Sequence, residues 1–375
     1  MSGKATATAP ANIAFIKYWG AHDLSSGIPL NPSISMTLSR CVSTCTVEAI
    51  PGDAAGGNVA GRDAAGGDAV GGGARGESDE VYVVAPGQRP PPGELLPGLG
   101  ERRAPGELRP APDAFARRVL DHLERLRRWA GADCSFRVAT RNSFPSGAGL
   151  ASSASGFAAL TLATLGALGA EVTAEELSIL ARRSGSGSAA RSVLGGYVEL
   201  PAGPVPDDVY ARQLAEPGHW DLRDVIAIVA AEPKAVSSLE GHARAPSSPY
   251  FRERLACLAD RLAVVREALA RRDLDLLGPA VEEEAVDLHL IAMSSSPPIF
   301  YWRPGTLEVL EAIRRLRTEG VRAYFTMDAG PNVHVICPAQ AEETVASRLG
   351  ALGSVREIIR DRVGPGPELI EEHLL

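Results

Sequence analysis

Residues 142–157, NSFPSGAGLASSASGF, run without a break into the alanine-rich apolar segment 158–168, and no other stretch limits the fold so much. Gly147 and Gly149 admit backbone conformations and close approaches that a Cβ blocks, so successive N–H groups can converge on an anion. Ser152, Ser153 and Ser155 add hydroxyl donors. The helix expected from about Ser153 aims the positive end of its dipole at the same point. The stretch reads as a cradle for a nucleotide phosphate; alone, it reads equally as a small-residue helix packed tightly on a sheet. It is not a Walker A loop, because no Gly-Lys-Ser/Thr follows the glycines, and it lacks GxGxxG spacing.

At 375 residues and 45% apolar content, the chain has material for two domains with cores of their own. A net charge of −8 argues against a nucleic-acid binder, so phosphorylated ligands must be held by a few local cations. No apolar run approaches the roughly 20 residues of a membrane span, and MSGKATATAP lacks the apolar core of a signal peptide. A cytoplasmic protein that binds neither membrane nor nucleic acid is expected. The five cysteines (Cys41, Cys45, Cys134, Cys257 and Cys337) have no CxxC spacing, so neither a disulfide framework nor a zinc site is indicated.

Residues 6–23 read as a β-rich run ending in a turn. Lys17 interrupts an apolar stretch there, either snorkelling to the surface or facing a ligand beside Asn12, Tyr18, Trp19 and His22. Residues 31–38 and 41–50 read as strands. Residues 51–80, nearly all Gly, Ala and Asp, are too poor in large apolar groups to offset the entropy of ordering and are expected to be a flexible, dispensable insertion. A strand at 81–86 and a loop at 87–112 follow. Phe115, Val119, Leu123, Leu126 and Trp129 then mark a basic amphipathic helix whose arginines read as a solvated face.

Residues 135–142 form the strand leading into the cradle, and a capping box at Thr173 and Glu176 starts a helix through Arg183. SGSGSAARS, residues 184–192, combines serine hydroxyls, glycines and Arg191, which suits a second oxyanion site or an ordinary turn. The Pro-rich stretch 201–208 is the expected domain junction, dividing 1–203 from 204–375. A buried strand at 224–231 and two long helices follow, the second carrying Glu282, Glu283, Glu284 and Asp287 as a wet face. A helix at 306–320 precedes a strand, turn and strand at 323–338. Asp328 opens that turn, ordinary turn chemistry when judged alone.

In combination, NIAFIKYWG (12–20), FPSGAGLASSASGFAAL (144–160), SGSGSAARS (184–192), PPIFYW (297–302) and MDAGPN (327–332) resemble the mevalonate diphosphate decarboxylase family of the GHMP kinase superfamily. The resemblance implies an α/β fold: a ribosomal-protein-S5-like N-terminal domain and a ferredoxin-like C-terminal domain, with the active site between them. It implies ATP and Mg2+, a phosphorylated mevalonate as small-molecule partner, and a homodimer. It assigns Asp328, Lys17 and Arg191 to catalysis. Gly147, Gly149, Ser152, Ser153 and Ser155 fall to the ATP phosphates. Tyr18, Trp19, Gly20, Ala21, Ser186, Gly187, Ser188, Ala189, Ala190 and Arg191 fall to the substrate. The metal ligands stay unassigned.

The chain departs from the family pattern in three places. Ala21 stands where many diphosphate-specific members have a lysine, Leu239 of SSLEG (237–241) where a polar or basic side chain often meets phosphate, and Phe115 near where some members have an arginine. Each lost contact to a charged phosphate costs on the order of 1.5–3 kcal/mol. The resemblance implies decarboxylation of mevalonate 5-diphosphate to isopentenyl diphosphate, while the three departures favour a substrate with one phosphate fewer. The alternative is mevalonate 5-phosphate to isopentenyl phosphate, and a non-catalytic ligand-binding member is a third reading. His22 is a candidate replacement contact.

Overall fold

The computed structural model describes residues 3–52, 79–84, 107–145, 152–232 and 234–375. Gly147 and Gly149, the body of the expected insertion and most of the expected 87–112 loop lie outside them. The ends of the insertion are fixed: Pro51 closes a strand, and Asp79 pairs with Arg127 at 2.7 Å. Part of the expected loop also differs, since Leu108–Pro110 forms a strand against Glu80–Val84.

Two sheets organise the chain. The first has eight strands and runs Glu368–Ile370, Gly3–Ile16, Ser33–Pro51, Cys134–Asn142, Glu80–Val84, Leu108–Pro110. Tyr197–Leu200 pairs with the near half of Ser33–Pro51, and Arg212–Ala215 pairs with Tyr197–Leu200. The second sheet is antiparallel in the order Tyr324–Thr326, Val333–Pro338, Leu222–Ile228, Glu357–Arg362. The change of sheet thus falls between Ala215 and Leu222, and the C-terminal strand returns to the first sheet. The two strands expected at 31–38 and 41–50 are one continuous strand. Where its pairing with Gly3–Ile16 shifts register, the Asp361 carboxylate accepts the N–H groups of Ser39, Arg40 and Cys41 at 2.8–3.1 Å.

The helix Ser152–Ala167 is apolar nearly all round, and eleven of its 16 residues are buried, which makes it the central helix of the first lobe. It packs on the first sheet with Asp113–Ala130 and Ala174–Arg182. The latter starts as expected: Thr173 Oγ1 accepts from Glu176 N–H at 3.2 Å, and the Glu176 carboxylate accepts from Thr173 N–H at 2.9 Å. A cap of this kind contributes about 1 kcal/mol. In the second lobe, Pro304–Thr318 and Glu342–Gly350 cover one face of the second sheet. Phe251–Arg271 and Leu274–Ser294 sit between the lobes. One core joins Ile13, Phe15 and Met36 of the first sheet to Ile226 and Ile336 of the second and Leu262 and Leu277 of these helices. A shared apolar core of this kind holds the lobes in fixed register. No helix among the described residues is long and apolar enough to cross a membrane.

Candidate active site

A cleft of about 490 Å3 opens between the lobes, walled by the end of the first strand, the 3-10 turn Gly187–Val193, the start of Ser152–Ala167 and the turn at Asp328. The pairing of Gly3–Ile16 ends at Ile16, and the chain turns away at Gly20, whose φ of +90° only glycine adopts freely. Lys17 therefore leaves the sheet at the cleft. It does not snorkel: its side chain is 1% exposed, and Nζ donates to Ala14 C=O at 2.7 Å and to Asp328 Oδ1 at 2.8 Å. Asp328 stands in front of it, 26% exposed on the cleft wall.

The Asp328 turn is anchored on both sides. Asn332 Oδ1 accepts the N–H groups of Val229 and Ala230, and Thr306 Oγ1 donates to Pro331 C=O. Burial drives the Lys17 ammonium pKa below its usual value, opposed by Asp328 and then Glu284. Burial also pushes the Asp328 carboxyl up, but Lys17, His334 and Arg191 together outweigh it and hold the pKa below the usual carboxylate value. Lys17 thus favours the charged form of Asp328.

Arg191 is buried 2% exposed at the cleft floor. Its Nε donates to Ser35 Oγ at 2.9 Å, Nη2 to Asn12 Oδ1 at 3.1 Å, and Nη1 to Ser33 Oγ. Burial lowers its pKa to about 10, so it remains a cation at neutral pH. Ser186, Gly187 and Ser188 line the cleft beside it, and a Cβ on Gly187 would meet the Tyr18 ring at 2.7 Å, so glycine is required for that approach. Tyr18 and Trp19 complete this wall, with the His242 ring 4.3 Å and 4.8 Å from theirs; His242 Nδ1 accepts from Gly20 N–H at 3.1 Å. Burial lowers the His242 pKa to about 3, so the ring is neutral and acts as a spacer.

Ser152 and Ser153 open the central helix and line both this cleft and an adjoining cavity of about 480 Å3 between that helix and Asp113–Ala130. Five expected site residues are not in the cleft walls. Ser155 points into the helix–sheet interface, 2.7 Å from Ser43 Oγ, because two residues along a helix turn a side chain from one face to another. Ala189 and Ala190 belong to the 3-10 turn and are fully buried. Gly20 serves the turn through its backbone, and Ala21 begins the short ladder with Pro29.

The structure also brings in residues the sequence did not single out. Lys234 reaches the cleft, donating to Ser238 Oγ at 2.7 Å and Ala329 C=O at 2.6 Å, and burial lowers its pKa to about 8. Arg118, expected on a solvated face, lies over the Phe157 ring at 4.9 Å and lines both cavities. Ser33 and Ser35 hold Arg191, together with Asn12, which the sequence had grouped with Lys17. Glu284 is wholly buried, a correction to the wet face expected for that helix: three successive acids point about 100° apart, so they cannot all face water. A lone lysine in a loop gives no pattern to find, whereas the phase of Arg118 with the apolar stripe was a usable signal.

Fold and cleft define a two-lobed α/β enzyme whose serine-lined helix start, buried cations and exposed carboxylate suit phosphoryl transfer. Two family models cover most of the chain: the diphosphomevalonate decarboxylase-like N-terminal domain at residues 9–59 and 108–211, and the mevalonate 5-diphosphate decarboxylase C-terminal domain at 224–357. The chain belongs to the diphosphomevalonate decarboxylase family. It is 31% identical to the diphosphomevalonate decarboxylase of Ganoderma lucidum, covering 99% of this chain and 97% of that one. It is also 30% identical to the phosphomevalonate decarboxylase of Haloferax volcanii, covering 98% of each. Mevalonate diphosphate decarboxylase from Staphylococcus aureus superposes with a TM-score of 0.81 at 28% identity, over 99% of both chains. MDDEF in complex with MVAPP, AMPPCP and magnesium matches with a TM-score of 0.81 at 30% identity, over 99% of this chain and all of that one.

Proposed function

We propose that this cleft transfers the γ-phosphoryl group of ATP to the tertiary hydroxyl of mevalonate 5-diphosphate. The product then loses phosphate and CO2, leaving isopentenyl diphosphate and ADP. The observation that carries the reading is the Lys17–Asp328 contact at 2.8 Å, facing the same cleft as Arg191 and the serines of the central helix.

Asp328 accepts a hydrogen bond from the hydroxyl and takes its proton as the new O–P bond forms. Held ionised it is a weak base, which suits a loose phosphoryl transfer in which the alcohol needs orientation more than prior deprotonation. Arg191 spends three of its five donors on Ser33, Ser35 and Asn12, so two remain for a substrate carboxylate, held as the anion. As the C–O bond to the departing phosphate breaks, the carboxylate's C–C bonding pair fills the electron-poor tertiary carbon and CO2 leaves. Lys17 offsets negative charge at Asp328 and on the transferring oxygens.

ATP with Mg2+ supplies the phosphoryl group and much of the charge neutralisation its transfer needs. The residues present fit that group. Ser152 and Ser153 open a helix whose dipole favours an anion, Arg118 and Lys234 give cations, and the adjoining cavity has apolar walls for a base. Among the described residues no cluster of three or more His, Cys, Asp or Glu could cage a metal, which fits a cation carried by the nucleotide's own phosphates.

The monophosphate reading has specific support. Leu239 and Phe115, two of the departure positions, line the cleft, and Leu239 is 40% exposed, while the related phosphomevalonate decarboxylase is matched as well as the diphosphate enzymes. ADP and CO2 release with Mg-ATP, comparing the two phosphorylated mevalonates at matched concentration, tests both. A higher kcat/KM for the diphosphate supports the reading given first. A higher value for the monophosphate replaces it, and release with neither refutes both and leaves a binding protein. The family resemblance also carries assembly as a cytoplasmic homodimer, which light scattering on the purified chain checks for mass.

A further inference from the structure

We propose that Glu284, with Arg254, is a positioning residue for Lys17: together they clamp the lysine's backbone from the helices between the lobes and fix where its ammonium meets Asp328. Only the kinetic half of the test rests on the reaction proposed above. Because the strand ladder stops at Ile16, Lys17 has no strand partner for its own N–H and C=O. Its N–H donates to Glu284 Oε1 at 2.9 Å. Its C=O accepts from Arg254 Nη2 and from Asn31 Nδ2, each at 2.9 Å. Arg254 closes the clamp by donating to Glu284 Oε1 and, at 3.3 Å, to Asn31 Oδ1.

Arg261 Nη1 holds the other Glu284 oxygen at 2.6 Å and Asp287 at 2.8 Å. Glu284 is 0% exposed and the Arg254 side chain 2%, so water cannot substitute for either. With the backbone fixed on both sides of Cα, the lysine chain has one path, past Ala14 C=O to Asp328. A displacement of about 1 Å at such a site costs on the order of a hundredfold in rate.

The clamp also carries charge. The ionisable groups facing the Lys17 ammonium are Asp328 on its turn, Glu284 and His289 on one helix, Arg191 on the 3-10 turn and Asp224 on the second sheet, while Arg254 meets the Lys17 carbonyl. Burial and Arg191 disfavour the ammonium, while Asp328 and Glu284 favour it. Glu284→Gln keeps an oxygen for the Lys17 N–H but removes the charge, leaving Arg254 and Arg261 uncompensated nearby. Lys17 must then lose its proton at lower pH. Arg254→Lys keeps the charge and loses the bridge.

The chain has three lysines (Lys4, Lys17 and Lys234), so NMR of the full protein with labelled lysine gives three side-chain titrations, assigned with Lys4→Arg and Lys234→Arg. In Glu284→Gln the Lys17 midpoint is expected to fall by at least about half a unit while Lys4 stays put. CO2 release should slow at least about tenfold, with the KM for ATP within about twofold, and Glu284→Asp should recover part of both. Arg254→Lys should slow turnover about fivefold or more with the Lys17 titration little changed. An unmoved Lys17 titration in folded Glu284→Gln overturns the proposal, as does wild-type kcat in either variant. If the wild-type protein turns over neither substrate, the reaction fails on its own account, and the titration still decides the clamp.

Discussion

Replacing Arg191 with lysine isolates what a guanidinium fork does that a point charge cannot. In the structure three donors are consumed by Ser35, Ser33 and Asn12, which leaves two for the substrate carboxylate. Lysine has three donors in all on a flexible stem and cannot hold the three protein acceptors and a bidentate carboxylate together. Loss of one charge-assisted hydrogen bond to the carboxylate costs roughly 1.5–3 kcal/mol, or about 10- to 150-fold. The assay is kcat/KM for the phosphorylated mevalonate at saturating ATP, with circular dichroism to establish that the variant is folded. The KM for ATP should stay within about twofold, because the adjoining cavity has no Arg191 wall. A substrate analogue with a carboxamide in place of the carboxylate supplies the control: wild type and Arg191→Lys should bind it alike. A folded Arg191→Lys enzyme within about threefold of wild type on the true substrate, or one that discriminates against the carboxamide as strongly as wild type does, refutes the carboxylate assignment.

Other expected outcomes separate site from scaffold. Ser155→Ala should cost about 1 kcal/mol of stability by denaturant titration, through its lost bond to Ser43, with kcat within about twofold. Ser153→Ala should leave stability alone and raise the KM for ATP, its place being the cleft wall. Lys234, with its pKa lowered to about 8, is charged below that pH and neutral above it in the free enzyme. ATP binding measured by calorimetry should therefore weaken as pH rises from about 7 to 9, and Lys234→Met should remove that dependence. Leu239→Arg, placed on the cleft wall, should raise the ratio of kcat/KM for diphosphate over monophosphate by about tenfold or more; an unchanged ratio would mean the phosphates lie elsewhere.

How far the sequence reached depends on the range of the interactions concerned. Lys17, Arg191 and Asp328 were singled out by the family resemblance of their short motifs, since each judged alone also read as ordinary structure. The structure places all three around one cleft although 311 positions separate Lys17 from Asp328. Ser155 was misplaced because the run of serines obscures helical phase: its neighbours Ser152 and Ser153 face the cleft and it faces the sheet. Glu284 was unreadable for another reason. Its inward partners, Arg254 and Arg261, lie on a separate helix, and only the packing of the two helices turns one of three adjacent acids into the buried one. Where Glu368–Ile370 joins the first sheet, its pairing with residues 6–8 at the other end of the sequence decided the topology, beyond any local pattern. Asp361 is the same case, since it supplies acceptors to a register shift in a strand 320 residues away.

The account rests on Lys17 and Asp328 acting as an ionised pair in an ATP-dependent decarboxylation. The most direct measurement is the stoichiometry of ADP and CO2 released from a phosphorylated mevalonate by wild type and by Asp328→Asn, each shown to be folded. Release in a one-to-one ratio by wild type, and loss of at least about a thousandfold of both products in Asp328→Asn, is the predicted result. ADP without CO2 in wild type would make the protein a plain kinase, and near-normal release by Asp328→Asn would contradict the role given to the pair.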